Sequence, residues 1–119
     1  MTALTAADSP RQLLKGTLDV LVLKALSWGP MHGFAVASWL EQRSEGILGV
    51  EDSALYQALH RMEERGLIEA EWGITDKNRK ARFYRLTAAG RKHLRTEMSS
   101  WMEYAGAVTR ILRSATQLA

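Results

Sequence analysis

The 119-residue sequence predicts a mainly α-helical chain with one small β-hairpin. Apolar residues recur at helical spacing in three segments that precede residue 66. Two short stretches rich in β-favouring residues then flank a polar loop, which is typical of a hairpin. Finally, apolar residues spaced 4, 3, 4, 3 and 4 apart run through the last part of the chain, which predicts a long helix with one apolar seam.

The first predicted helix begins at Ser9 and runs to about residue 27. Ser9 can act as its N-cap, Pro10 suits the first helical position, and Gln12 lies three residues after the cap. The helix ends before Gly29 and Pro30, which interrupt helices. It is apolar on more than one side, so we expect the domain core to cover one side and a partner subunit to be a candidate cover for another.

Two shorter helices follow. The second is predicted from His32 to Ser44, with Phe34, Ala37 and Leu40 on one face, and residues 47–50 then form a possible minor strand. The third starts at Asp52 or Ser53, either of which can cap it, and ends at Gly66. Its predicted buried stripe consists of Leu55, Ala58, Leu59 and Met62.

A hairpin and a long helix complete the pattern. Residues 67–72 and 81–86 are the predicted strands, and Thr87 caps a helix that extends to about Arg113. The order of helix, helix, helix and hairpin is the plan of a winged helix-turn-helix domain. We therefore expect residues 1–87 to form this domain, with residues 1–8 flexible, and residues 88–119 to form a dimerisation helix.

Positive charge is concentrated in the middle of the chain. Residues 1–52 carry 4 basic and 6 acidic side chains, whereas residues 53–95 carry 10 and 5. The chain as a whole has a formal net charge of +3. A basic central region predicts one face that binds a polyanion such as nucleic acid.

The outward side of the third helix is the first candidate DNA-binding surface. Gln57, His60 and Arg61 face away from the buried stripe, and glutamine and arginine side chains can each form paired hydrogen bonds with adenine and guanine, respectively. Ser53 and Tyr56 are better placed for phosphate oxygens near the start of the helix. The same pattern is also typical of the solvated face of any amphipathic helix, and this alternative stays open.

The hairpin tip is the second candidate. Five of the nine residues from position 77 to position 85 are basic and none is acidic. This arrangement suits DNA phosphates or a minor groove, although a solubilising loop would have the same composition. The predicted DNA contacts in this segment are Lys77, Arg79, Lys80 and Arg82; the fifth basic residue is Arg85.

The final helix carries the predicted dimer seam. Its members are Leu94, Met98, Trp101, Ala105, Val108 and Leu112. A second copy of the chain is the expected cover for this seam, and folding back within one chain is the alternative. A pair of Trp101 side chains at the centre of the dimer is also a candidate site for a flat apolar effector.

Several other classes of protein fit the sequence poorly. It has no cysteine, and its three histidines, His32, His60 and His93, fall on separate elements without metal-ligand spacing. No phosphate-binding glycine loop, signal peptide or membrane span is apparent. We therefore expect a cytoplasmic protein that is not an enzyme and needs no metal or cofactor. Two further alternatives without DNA binding are a winged helix used for protein contacts and a dimeric carrier of hydrophobic ligands.

Four segments together resemble the PadR family of transcriptional regulators, in its short form with one C-terminal helix. They are Leu-Lys-Gly-Thr-Leu-Asp-Val-Leu-Val-Leu at 14–23, Gly-Pro-Met-His-Gly-Phe at 29–34, Ala-Leu-Tyr-Gln-Ala-Leu-His-Arg-Met-Glu-Glu-Arg-Gly-Leu-Ile at 54–68 and Arg-Phe-Tyr-Arg-Leu-Thr-Ala-Ala-Gly at 82–90, together with Trp72. The resemblance implies a repressor that covers a two-fold symmetric operator as a homodimer. It also implies that some members respond to small aromatic or drug-like molecules, with Trp101 at the position of a ligand-stacking tryptophan.

The sequence departs from the family pattern at three places. Ala54 stands where a threonine or serine is common, so that the hydroxyl group at position 54 is missing. The adjacent Ser53 is the candidate to replace it. Gln57 stands where proline is common, and the hairpin lacks the glycines that often precede its basic run. These differences affect the expected base preference and the shape of the hairpin rather than the fold.

Overall fold

A computed structural model of the chain describes residues 11–12 and 16–117. Within that part of the chain, four helices alternate with five strands. In chain order they are β1 (Arg11–Gln12), α1 (Leu18–Leu26), β2 (Met31–His32), α2 (Gly33–Arg43), β3 (Leu48–Gly49), α3 (Asp52–Glu64), β4 (Ile68–Ile74), β5 (Lys80–Leu86) and α4 (Ala88–Leu112). The predicted fold class, mainly helical with a small hairpin and a long final helix, is confirmed.

The hydrophobic core surrounds α1. This helix packs against α2, α3, α4 and β5, and Val22, Leu23 and Ala25 are completely buried. Leu18 and Leu21 on its remaining sides are partly buried against the same core. α1 is thus covered on more than one side by elements of its own chain, and a partner subunit as a further cover stays a prediction.

The hairpin of β4 and β5, which we call the wing, has a third strand beside it. β5 pairs antiparallel with β4 from Ile68–Leu86 at its base to Ile74–Lys80 at its tip. On its other edge β5 pairs with β2, which places Met31 opposite Tyr84. A two-residue strand carries no alternating pattern, so the sequence did not predict β2. Its effect is to fix the start of α2 against the wing.

The predicted start of the first helix is wrong. The residues of β1 are extended and pair in parallel with β3, and α1 begins only at Leu18. Gly16 between them has a φ angle of +86°, a left-handed value that a right-handed helix cannot contain. The proposed cap, Ser9, and the segment before it lie outside the described residues. The minor strand predicted within residues 47–50 is confirmed as β3.

α2 begins close to its predicted position, but a different side of it is buried. His32 is its N-cap, and the ring Nδ1 accepts a hydrogen bond of 3.3 Å from the amide of Ala35. Val36 and Leu40, four residues apart, face the core, whereas Phe34 is 72% exposed. Six residues separate Phe34 from Leu40, which rotates the two side chains about 120° apart on a helix. The expectation that Phe34 and Leu40 share one face is therefore wrong.

α3 and α4 have the predicted boundaries. α3 ends before Gly66, which has a φ angle of +74°, and its predicted stripe is buried. Its N-cap position is Glu51, which makes no side-chain capping bond, so neither Asp52 nor Ser53 caps it. At α4 the Thr87 hydroxyl accepts a hydrogen bond of 3.0 Å from the Gly90 amide, as a capping threonine should. Among the described residues, no helix is long and apolar enough to cross a membrane.

Candidate nucleic-acid interface

α3 presents a polar face to solvent. Ser53, Gln57 and His60 are exposed on the side opposite the buried stripe, and at 3.6 residues per turn they fall within a sector of about 60°. We call these three residues the outward face of α3. Arg61 lies at the edge of this face beside α1, and Tyr56 lies at the opposite edge beside the wing.

Two of the residues predicted to read bases have acidic partners in their own chain. Nη2 of Arg61 lies 2.6 Å from Oδ1 of Asp19 on α1, and Nε2 of His60 lies 3.4 Å from Oε2 of Glu64. The members of both pairs are exposed or only partly buried, so each interaction contributes at most about 1 kcal/mol. Competing acceptors on DNA can therefore replace these carboxylates at modest cost.

Thr75 organises the turn at the tip of the wing. Its carbonyl oxygen accepts a hydrogen bond of 2.9 Å from the Asn78 amide, and its own amide donates to the Arg79 carbonyl at 2.8 Å. Its hydroxyl accepts from the amides of Lys77 and Arg79, both at 3.2 Å. Asn78 takes the left-handed conformation, with a φ angle of +61°. Asparagine at this position lets the turn close without a glycine between residues 75 and 79.

The two faces of the wing differ in charge. Because side chains alternate along a strand, Trp72, Lys80 and Arg82 share the face that points towards α2 and α3. The opposite face carries Glu69 and Arg85, joined by an ion pair of 2.8 Å. The positive charge of Arg85 is thus neutralised on the face that points away from α3.

A groove runs between the wing, α2 and the N-terminal half of α3. It has a volume of about 1050 Å³. We call it the wing groove, and the side chains that matter most for its chemistry are Phe34, Tyr56, Trp72, Lys80, Arg82 and Tyr84. Lys77 and Arg79, at the tip of the wing, also line it. The groove thus brings four of the predicted DNA contacts on the wing together with Tyr56 of α3.

Close packing and burial fix the two tyrosines of the groove. The Tyr56 ring passes so near α2 that a Cβ on Gly33 would lie 2.5 Å from its hydroxyl oxygen. The Tyr84 side chain is buried, and this burial raises its pKa above the ordinary value of 10.0, although the nearby charge of Arg82 acts in the opposite direction. The Tyr84 hydroxyl is therefore neutral near pH 7 and can donate a hydrogen bond.

Arg82 connects the wing to α3. Its Nη2 lies 2.9 Å from Oε2 of Glu63, and its guanidinium carbon lies 6.0 Å from the centre of the Tyr84 ring. Glu63 was not singled out by the sequence, because it lies at the border between the buried stripe and the outward face. This ion pair holds the basic strand of the wing beside α3.

The predicted dimer seam divides into two parts. Leu94 is buried in the core of its own chain, and Met98 is partly buried against that core. Beyond them α4 extends away from the domain, with Trp101 38% exposed and Val108 37% exposed. Leu112, near the end of the helix, is 77% exposed. The structure thus leaves the C-terminal half of the seam uncovered within its own chain. Ala105, which belongs to this half, is partly buried.

The three histidines have separate surroundings. His32 caps α2, and its ring meets Phe83 edge-on at 5.3 Å, whereas His60 is exposed on α3 and His93 is partly buried on α4. Within residues 11–12 and 16–117, no cluster of three or more histidine, aspartate or glutamate residues could hold a metal ion.

Sequence reasoning missed the aromatic residues of the wing groove. The sequence pattern groups Phe34 with Ala37 and Leu40 on one face of a helix, and it groups Trp72 with Ile68 and Ala70 on one side of a strand. Trp72 is 62% exposed, because the core ends near the base of the wing and the strand continues into solvent. A useful signal was available, since Trp72 directly precedes the polar loop in the sequence and therefore lies near the tip.

Comparison with known proteins gives a consistent result. The family described as "Transcriptional regulator PadR-like family" matches residues 22–96. A PadR family transcriptional regulator from Eggerthella lenta is 29% identical, with 85% of this chain and 86% of that chain aligned at a TM-score of 0.70. A PadR-like transcriptional regulator from Bacillus cereus is 24% identical and aligns over 86% of this chain and 97% of that chain, with a TM-score of 0.74.

Two relatives found by sequence match a similar length of this chain. The 37.1 kDa protein in transposon TN4556 of Streptomyces fradiae is 39% identical over 90 residues, which is 76% of this chain and 24% of that protein. Protein X of Lysinibacillus sphaericus is 24% identical over 91 residues, which is 76% of this chain and 84% of that protein. The chain therefore spans about a quarter of the first relative and most of the second.

Proposed function

The chain belongs to the transcriptional regulator PadR-like family, and we propose that it acts by binding a two-fold symmetric operator in duplex DNA as a homodimer. Members of this family are regulators of transcription rather than enzymes. The proposal concerns the further steps, which are DNA binding, dimerisation and repression.

The observation that carries this proposal is the adjacency of the outward face of α3 and the cationic face of the wing. The ion pair between Arg82 and Glu63 bridges the two elements at 2.9 Å. A helix fits the major groove of B-DNA, and Gln57 offers both a donor and an acceptor for an adenine edge. Lys77, Arg79 and Lys80 then lie towards flanking phosphates, to which lysine and arginine bind through charge.

The uncovered half of α4 supports the homodimer. Two copies of this helix would bury Trp101, Val108 and Leu112 against each other, and a dimer would place two α3 helices on successive major grooves about one helical turn apart. An effector between paired Trp101 side chains would change the angle between the α4 helices and hence the spacing of the α3 helices. This is the proposed route by which a flat apolar molecule would release the repressor.

Two experiments test DNA binding. The purified chain first selects duplexes from a random pool, and fluorescence anisotropy then measures their affinity at several salt concentrations. We expect enrichment of an inverted repeat and an affinity that falls steeply with salt. Replacing Arg79, Lys80 and Arg82 by alanine should weaken binding to every sequence, and replacing Gln57 or Arg61 should change the preferred bases. Arg85→Ala is the matched control, because this arginine lies on the other face of the wing and should retain most of the affinity.

Absence of salt-dependent binding to any duplex would contradict the proposal. If tryptophan fluorescence still responded to flat apolar dyes in that case, a ligand-binding dimer without DNA binding would be the better description.

A further inference from the structure

The exposed aromatic side chains of the wing groove are not explained by charge or base reading. Phe34 is 72% exposed, Trp72 is 62% exposed and Tyr56 is 50% exposed, and all three line the same concavity. Large apolar side chains gathered in one exposed concavity usually mark an interaction site. A site that bound phosphates by charge alone would not require them.

Neighbouring groups already hold two of these rings in place. The Phe34 ring stacks on His32 with 6.4 Å between ring centres and an angle of 13° between planes. The Trp72 ring lies under the Lys80 ammonium group, which is 5.1 Å from its centre. The side chains of Phe34 and Trp72 therefore lose little conformational entropy when a partner packs against them.

The chemistry of the groove matches the DNA backbone. A DNA strand alternates apolar deoxyribose rings with anionic phosphates, and the groove combines apolar rings with the cations Lys80 and Arg82. Tyr56 belongs to both the groove and α3, so the groove is continuous with the outward face that is proposed to enter the major groove. A strand leaving that major groove would pass between the wing and α2.

We propose that the wing groove seats the sugar-phosphate backbone of duplex DNA, with Phe34 and Trp72 packed against deoxyribose rings on either side of a phosphate. Lys80 and the Tyr56 hydroxyl bind that phosphate. This inference rests on the proposed function and adds an apolar, sequence-independent contact to it.

The salt dependence of binding separates an apolar contact from a charged one. Loss of a lysine that contacts a phosphate lowers the salt slope, d log K/d log[salt], by about 0.9 in magnitude, because fewer counterions are released. Loss of an apolar contact weakens binding at every salt concentration and leaves the slope unchanged.

We would measure the anisotropy of a labelled mixed-sequence duplex of about three helical turns with the full chain. Phe34→Ser and Trp72→Thr are each expected to weaken binding about tenfold with an unchanged slope, whereas Lys77→Ala should lower the slope. The matched control is Trp28→Thr, because Trp28 is equally exposed at 62% but lies outside the groove. This control should bind as the unmodified chain does.

Affinities of Phe34→Ser and Trp72→Thr within about twofold of the unmodified chain would overturn the inference, since the expected loss is about tenfold. A loss accompanied by a slope reduced like that of Lys77→Ala would overturn it too, because the rings would then act only by positioning cations. In both cases binding by the unmodified chain would leave the proposed function intact. Failure of the unmodified chain to bind duplex DNA would overturn both.

Discussion

Two glycines of α4 have opposite surroundings, and single substitutions should reveal it. A Cβ on Gly90 would overlap the backbone carbonyl oxygen of Leu67, whereas a Cβ on Gly106 would have no atom within 4 Å. We expect Gly90→Ala to lower the free energy of unfolding by about 3 kcal/mol, because a backbone atom cannot move aside as a side chain can. Chemical denaturation of the purified variants measures this change.

Gly106→Ala is the control within the same helix. Alanine favours the helical conformation over glycine by about 1 kcal/mol at an exposed position, so this variant should be slightly more stable than the unmodified chain. Equal stability of the two alanine variants would contradict the close contact at Gly90.

At the scale of elements, the ion pair between Glu63 and Arg82 should limit the phosphate binding proposed for the wing. In the proposed complex the Glu63 carboxylate would compete with DNA for Arg82 and would also repel nearby phosphates. We expect Glu63→Gln to tighten binding to mixed-sequence duplex roughly threefold and to increase the salt slope. Since the pair is exposed, the free energy of unfolding should change by less than about 1 kcal/mol.

Glu69→Gln is the matched control for this prediction. Like Glu63→Gln it removes one negative charge, but Glu69 lies on the wing and its partner Arg85 lies on the face that points away from α3. A gain in affinity as large as that of Glu63→Gln would mean that net charge, rather than release of Arg82, controls binding.

The elements also show what the sequence could and could not predict. The bounds of α3 and α4 were predictable because Gly66 and Thr87 act locally, through one backbone angle and one capping bond. The start of α1 was not, because a plausible cap at Ser9 outweighed Gly16, whose left-handed conformation alone excludes a continuous helix. At the candidate site, the outward face of α3 followed from helical periodicity. The wing groove did not, because it depends on how far the wing extends beyond the core.

At the scale of the whole molecule, α4 makes the chain elongated. The molecule measures 61 × 33 × 20 Å, and the uncovered half of α4 carries the seam residues Trp101, Val108 and Leu112. We expect Val108→Glu to convert a dimer to a monomer, because burying a carboxylate in an apolar seam without a partner is costly. Light scattering coupled to gel filtration measures the mass, and operator affinity should fall about a hundredfold as the two half-sites become independent.

The control for this prediction is Ser100→Glu, an exposed position of α4 outside the seam. It adds the same charge and should remain dimeric. A Val108→Glu variant with the mass of the unmodified chain would show that this seam does not join two copies.

The unequal charge of the two wing faces also limits how many polyanions the proposed site of one subunit could bind. One face offers Lys80 and Arg82, whereas the reverse carries Glu69 and Glu71 around an already neutralised Arg85. A second polyanion approaching the reverse side meets net negative charge and is repelled. If the chain binds DNA as proposed, each wing would contact one duplex from one side only. Excess protein should then coat a duplex rather than link separate duplexes into a network.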